Sequence, residues 1–234
     1  MDSTVEAVKA NLDINSNQTL KVSVYHAFKR TIILGEIPAG ERINESVFSE
    51  EMNISRTPIR YALEQLLKEE LVEHVPGIGM IVRGISIKDA YEIYDIRKAL
   101  DTLAFTKAMH LMTEEDFDEL ERHLQSGDSI QTKESDDRID NLINNFSGFN
   151  AYVYEKSQMR RLPKIIDELQ AYLVYFRELS IRSEVRSKIA LEEHFLILRG
   201  MRNKDVETMT MLIHEHLDHS LKFIIEDMEN RNIG

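Results

Sequence analysis

The sequence has no cysteine, only four prolines and nine glycines in 234 residues, and fewer basic than acidic side chains, 29 Lys/Arg against 41 Asp/Glu. Without cysteine, a disulfide framework, a thiolate metal cage, a redox pair and a cysteine nucleophile are all excluded. Scarce proline and glycine beside 30% charged residues point to long helices joined by few tight turns. No apolar run approaches the roughly 20 residues that span a bilayer, and Asp2 and Glu6 stand where a signal peptide would carry positive charge. These features read as a cytoplasmic protein with no membrane partner. The length suits one to two domains. Taken whole, a net charge of −12 and a pI near 5.2 argue against nucleic acid, so the location of the charges matters.

What the chain does have is helical periodicity, unevenly spread. From Leu20 to Gly84 the segments are short and broken by turn residues; from Ser86 onward the apolar stripes are long. This predicts one domain over residues 18–85 and a second over 86–230. In the first, Val24, Ala27, Phe28, Ile32 and Leu34 mark a helix stripe that closes through Gly35, Pro38 and Gly40. A short helix follows over Glu45–Met52. A third begins at Ser55, whose hydroxyl is placed to cap it, tolerates Pro58 in its first turn and buries Ile59, Leu63, Leu66 and Leu67. LVEHVPGIGMIVRGI then reads as a two-strand ribbon around a glycine turn.

The second stretch is helical throughout. Ser86 with Asp89, and Thr113 with Asp116, have capping-box spacing and open helices over 87–112 and 114–126. SGDSIQTKESDD reads as a polar linker. Further helices are expected over 138–158, 164–181, 184–200 and 205–229, with Pro163, Gly200 and Asn203 as breaks. The fold class is therefore mainly α: an N-terminal winged helix-turn-helix with a small β-ribbon, then an all-helical bundle.

In such a winged domain the third helix lies in the DNA major groove and presents its N-terminal residues to base edges. Here those are Ser55, Arg56, Thr57 and Arg60. Arg56 and Arg60, four apart, share a helix face, and arginine can bond a guanine edge through two parallel contacts. The helix start adds free amides that suit phosphate. Gly77 and Gly79 let the ribbon tip come close to the backbone, with Arg83 nearby. Charge by segment supports this: residues 18–85 hold eight Lys/Arg against nine Asp/Glu, whereas 86–234 hold 20 against 29. On pattern alone, Arg56 and Arg60 can equally be solvated surface charges.

The segment ILGEIPAGERINESVFSEEMNISRTPIRYALEQLLKEELVEHVPGIGMIVRGIS resembles the winged helix-turn-helix of the GntR family of bacterial transcription regulators, and SRTPIRYAL is its most specific part. The resemblance places Arg56, Thr57 and Arg60 on the family's base- and phosphate-contacting positions and Gly77 at the wing tip; Ser46 departs from an arginine that contacts DNA in the FadR branch. YEIYDIRKALD, FNAYVYEKSQM, EEHFLILRGMRNKD and IHEHLDHSL resemble, in order, the helical FadR-type effector domain called FCD. It implies a homodimer that reads an inverted repeat in double-stranded operator DNA, controlled by a small effector, commonly an organic acid or sugar acid. A ligand-free dimeric scaffold that recruits proteins is the alternative.

Many FCD domains hold a divalent metal, and His194 and His216 match two of its ligand positions. Asn150 stands where the family has His, and Phe146 where it has Asp; a one-residue shift puts Asn145 there instead. Zinc, nickel or manganese at this site, two buried histidines satisfied by neighbours, and a metal-free pocket in which Asn150, His194 and His216 bond an effector all remain open. Arg97 lies on the stripe of Ala90, Ile93, Tyr94, Leu100 and Ala104, where a charge needs a partner. Asp101, one turn on, can supply it; so can the carboxylate of an effector. Tyr172, Tyr175 and Arg177 are further candidates for the same pocket.

Enzyme signatures are missing. In HEHLDH the second histidine of a zinc protease motif would fall at position 218, which is Asp. There is no GxSxG elbow, no phosphate loop and no GxGxxG following a strand.

Overall fold

The computed structural model describes residues 3–13, 18–131, 138–181 and 183–230, which divide into two compact units, Met1–Ser86 and Ile87–Gly234. In the first, α1 (Ser3–Ala10) precedes α2 (Leu20–Ile33), β1 (Arg42–Ile43), α3 (Glu45–Glu51), α4 (Arg56–Lys68), β2 (Val72–Val75) and β3 (Gly79–Val82). The short α1 lies ahead of residue 18, where the sequence pattern starts, and buries Val5 and Val8. Asn11 just beyond it bonds Thr31 Oγ1 at 3.2 Å and accepts from Arg30 Nε at 2.9 Å.

The core of this unit forms where α2 meets α4. Val24, Ala27, Phe28 and Ile32 face Ile59, Ala62, Leu63 and Leu66, and the Phe28 ring meets Phe48 of α3 at 4.9 Å. Two expected stripe members differ. Ile33 is buried while Leu34 is the half-buried C-cap of α2, and Leu67 is exposed, because α4 turns that position away from α2. Buried Lys29 pairs with Glu69 at 2.7 Å, tying the end of α4 to α2. Asn44 caps α3 by accepting from Ser46 N at 3.0 Å, and the turn to α4 passes through Asn53 at φ 54°. The sheet has three strands rather than two, in the order β1-β3-β2, all antiparallel. Arg42 and Ile43 add the third by pairing with Ile81 and Met80.

The second unit is a bundle of α5 (Ile87–Leu111), α6 (Glu114–Gln131), α7 (Arg138–Lys156), α8 (Leu162–Ile181), α9 (Glu184–Arg202) and α10 (Val206–Asn230). Thr113 and Asp116 do form a reciprocal cap: Thr113 N donates to Asp116 Oδ2 at 2.8 Å, and Asp116 N to Thr113 Oγ1 at 3.3 Å. The expected linker is helix through Gln131; its remainder, residues 132–137, lies outside the described residues. Gly127 sits inside this helix because α6 closes on α7 there: a Cβ would stand 2.7 Å from Asn145 Oδ1. Gly200 is likewise inside α9, against Met209, and the chain reverses instead at Asn203 and Lys204. Among the described residues no helix is long and apolar enough to cross a membrane.

Candidate functional site

The first unit presents the start of α4 to solvent. Ser55, Arg56, Thr57 and Arg60 are all exposed, while Pro58 and Ile59 between them are buried, so the helix shows one polar edge and anchors the other. Ser55 is the N-cap with extended backbone, yet its hydroxyl makes no capping bond, contrary to expectation. The hydroxyl and the first-turn amides are thus left for another partner, and oriented amides at a helix start suit a phosphate oxygen. Arg60 Nη2 reaches Glu45 Oε2 of α3 at 3.0 Å, which aligns the guanidinium along the α3–α4 face. At the ribbon tip Gly77 has φ 80° and Gly79 φ 114°. A Cβ on Gly77 would meet nothing within 4 Å, so the glycine answers a backbone requirement rather than crowding. Arg83 is paired with Glu70 at 2.7 Å.

In the second unit a cavity of about 300 Å³, counting the gaps that open to solvent, lies among α5, α7, α8, α9 and α10. It brings together Arg97, Asn150, His194 and His216, and adds Tyr94, Phe146, Arg177, Ser180 and Ser220. Asn145 does not line it; that side chain donates to His123 O at 2.9 Å and Ser126 Oγ at 3.1 Å, so Phe146 is the residue facing the histidines. Tyr172 and Tyr175 are not among its lining residues.

Charge dominates the cavity. Arg97 is buried and its Nε lies 3.1 Å from Asp101 Oδ2, while the Tyr154 hydroxyl donates to Asp101 Oδ1. Burial opposes the Arg97 charge, but Asp101, Tyr94 and Tyr154 outweigh it and raise the pKa. Arg177 is different. It is 8% exposed, its Nη1 donates to Ser147 Oγ, and among the described residues no carboxylate is within ion-pair distance of it. Burial, and then the charge of Arg97, lower its pKa to about 10. A guanidinium so placed calls for an anion.

The two imidazoles meet at 4.6 Å between ring centres with their planes tilted by 50°, and Phe146 and Phe149 pack on His194 at 4.9 and 4.8 Å. Burial holds both pKa values well below the ordinary histidine value, reinforced for His194 by His216 and for His216 by Arg186, with Arg97 and Arg177 adding to both. His194 Nδ1 and Asn150 Nδ2 are buried without a hydrogen-bond partner. His216 Nδ1 contacts Glu193 Oε2 at 2.6 Å, and Glu193 also meets His219 Nδ1 at 2.7 Å and Arg186 Nη1 at 2.9 Å. Fully buried Arg186 further donates to Ser220 Oγ at 2.7 Å and His216 O at 3.1 Å. Neither Arg186 nor Glu193 stands out in sequence as a site residue, although Arg186 falls four residues before Ala190 and eight before His194, on the same stripe. His214 and His219 are exposed, and His214 Nε2 lies 3.2 Å from Thr102 Oγ1.

These donors do not suit a transition metal. Two imidazoles are the strong ligands available, Asn150 offers an amide, the Phe146 ring packs on His194, and among the described residues no group of three or more His, Asp or Glu is placed to hold a metal ion. The buried guanidiniums repel a dication further.

Comparison with known proteins agrees with both halves. The profile of the bacterial regulatory proteins, gntR family, matches residues 20–82, and that of the FCD domain matches residues 92–219, more than half of the chain. The gluconate operon transcriptional repressor of Bacillus licheniformis is 26% identical, over 87% of this chain and 84% of that one. The transcriptional regulator McbR of Escherichia coli is 25% identical over 89% of this chain and 94% of its own. In the solved structure of E. coli McbR/YncC the same fold recurs, with a TM-score of 0.64 at 22% identity, covering 90% of this chain and 99% of that one. With a winged reader ahead of an FCD bundle, the chain belongs to the GntR family of bacterial regulatory proteins and is a DNA-binding transcription regulator, not an enzyme.

Proposed function

We propose that this regulator is a cytoplasmic homodimer that reads an inverted repeat through Ser55, Arg56, Thr57, Arg60 and the Gly77 wing tip, and that a small carboxylate in the bundle cavity controls its grip on DNA. The observation that carries the effector half is Arg177, a buried cation lining the cavity with no carboxylate of the described chain against it. The acid lies on Arg177 and Arg97, while Asn150, His194 and His216 supply hydrogen bonds without a metal. One relative is named for a gluconate operon, and sugar acids carry the required charge. Exposed Val185, Ile189 and Leu196 along one side of α9 support a contact between copies. The acid acts by preferring one arrangement of the dimer, which changes the spacing of the two readers; equal affinity for both arrangements would change nothing. Anisotropy titration of the protein with DNA from upstream of its own gene, with and without organic and sugar acids, tests the reading. At least one acid shifts the affinity; indifference to every acid overturns the effector assignment.

A further inference from the structure

The carboxylate at the start of α3 does not serve that helix. Asn44 already caps it, its Oδ1 accepting from Ser46 N at 3.0 Å and from Val47 N at 3.5 Å. The Glu45 side chain crosses instead to α4, where its Oε2 accepts from Arg60 Nη2 at 3.0 Å. Among the described residues the other nitrogens of Arg60 and the second oxygen of Glu45 have no partner, and both side chains still reach solvent, 60% and 31% exposed. One bond thus holds a donor fork and an acceptor side by side. A carboxylate is a liability on a surface that meets phosphate, and residues 18–85 already hold nine acids against eight bases. Glu45 therefore adds no attraction to DNA; what it can add is discrimination between sequences. The major-groove edge of a G·C pair has the complementary order, with N7 and O6 of guanine accepting and N4 of cytosine donating.

We propose that Glu45 and Arg60 read one G·C base pair together, Arg60 donating to N7 and O6 of guanine while Glu45 accepts from the cytosine N4 amino group. The inference rests on the reading of Arg60 as a base contact and adds a second reading group beside it. Both ends of the pair then select. An A·T pair sets the adenine amino group against the guanidinium and thymine O4 against the carboxylate, and a C·G pair repeats the conflict with N4 and O6. A T·A pair is tolerated better: thymine O4 accepts from Arg60 and the adenine amino group donates to Glu45, although a methyl group replaces N7 under the fork. The expected order is G·C, then T·A, then A·T and C·G. Arginine alone finds one acceptor on T·A and one on A·T and would not separate those two.

The test starts from a randomised duplex library, selected with wild type and with Arg60→Ala to find the position whose preference that variant erases. Duplexes carrying each of the four base pairs there are then titrated by fluorescence anisotropy against wild type and Glu45→Gln. Wild type should favour G·C over A·T by at least about tenfold. In Glu45→Gln the amide can donate to thymine O4, so that ratio should shrink severalfold and the advantage of T·A over A·T should vanish. A change of all four affinities by one common factor overturns the inference and leaves Arg60 as a base contact; an Arg60→Ala that erases no position overturns both. A further duplex needs no variant. N4-methylcytosine at that position keeps Watson–Crick pairing but blocks the amino hydrogen that faces the major groove, and should weaken wild-type binding by about tenfold. Undiminished binding sinks the proposal even if Glu45→Gln fails to fold.

Discussion

Arg97 and Arg177 line one cavity as like charges: Asp101 pairs with the first, no described carboxylate pairs with the second, and burial, then the charge of Arg97, lowers the basicity of Arg177. Their removal should therefore have opposite consequences. Arg97→Met strands buried Asp101 and should cost about 3–5 kcal/mol of ligand-free stability. Arg177→Met removes a desolvated charge that has little to answer it and should leave stability unchanged or raise it by roughly 1–3 kcal/mol. Urea unfolding of both variants checks this; equal losses would show that Arg177 is as well compensated as Arg97.

The histidine pair gives a pH dependence of definite sign. Both rings have folded-state pKa values well below 6.5, chiefly through burial, so below pH 6.5 the unfolded chain binds protons that the folded one refuses. Stability is complete above pH 6.5 and falls as the pH drops beneath it, by at most about 1.4 kcal/mol per pH unit for each ring. Urea unfolding at pH 7.5 and 5.5 should show the loss. In the His194→Gln and His216→Gln variants the slope should be shallower, and an unchanged slope would place the titration elsewhere.

Two capping positions of the reader should separate stability from DNA binding. Asn44 accepts from Ser46 N, so Asn44→Ala should cost about 1 kcal/mol. The Ser55 hydroxyl makes no such bond, and Ser55→Ala should change stability by less than about 0.5 kcal/mol while weakening DNA binding. A stability loss at Ser55 equal to that at Asn44 would mean that its hydroxyl caps α4 in solution.

Arg56→Ala and Arg60→Ala should each weaken operator binding by roughly 1–3 kcal/mol in an anisotropy titration. Arg60 leaves the Glu45 carboxylate behind, so its loss adds repulsion toward phosphate and should be the larger of the two. Unchanged affinity in either variant removes that residue from the contact surface.

The reader was legible because its signals are local. Pro58 in a first turn, the glycines at 77 and 79 with positive φ, and the stripe through Ile59, Leu63 and Leu66 each act within a few residues. The composition of SGDSIQ misled for the complementary reason: glycine usually marks a turn, but Gly127 serves a close approach to Asn145, a partner 18 residues away in sequence that local rules do not see. In the cavity, Arg97, His194 and His216 betray themselves as polar residues on apolar stripes. Arg177 needs the direction of α8, and Glu193 needs the packing of α9 on α10, before either acquires a role. Arg186 carried a readable signal, a charge in step with Ala190 and His194.

The measurement that bears most directly on the effector cavity is a thermal-shift panel of organic and sugar acids run on wild type and Arg177→Met side by side. One or more acids should raise the melting temperature of wild type in a concentration-dependent way, as mass action requires of a ligand that binds the folded state, and leave Arg177→Met unmoved. An acid that stabilises both proteins equally would contradict the assignment of Arg177 as the anion's anchor.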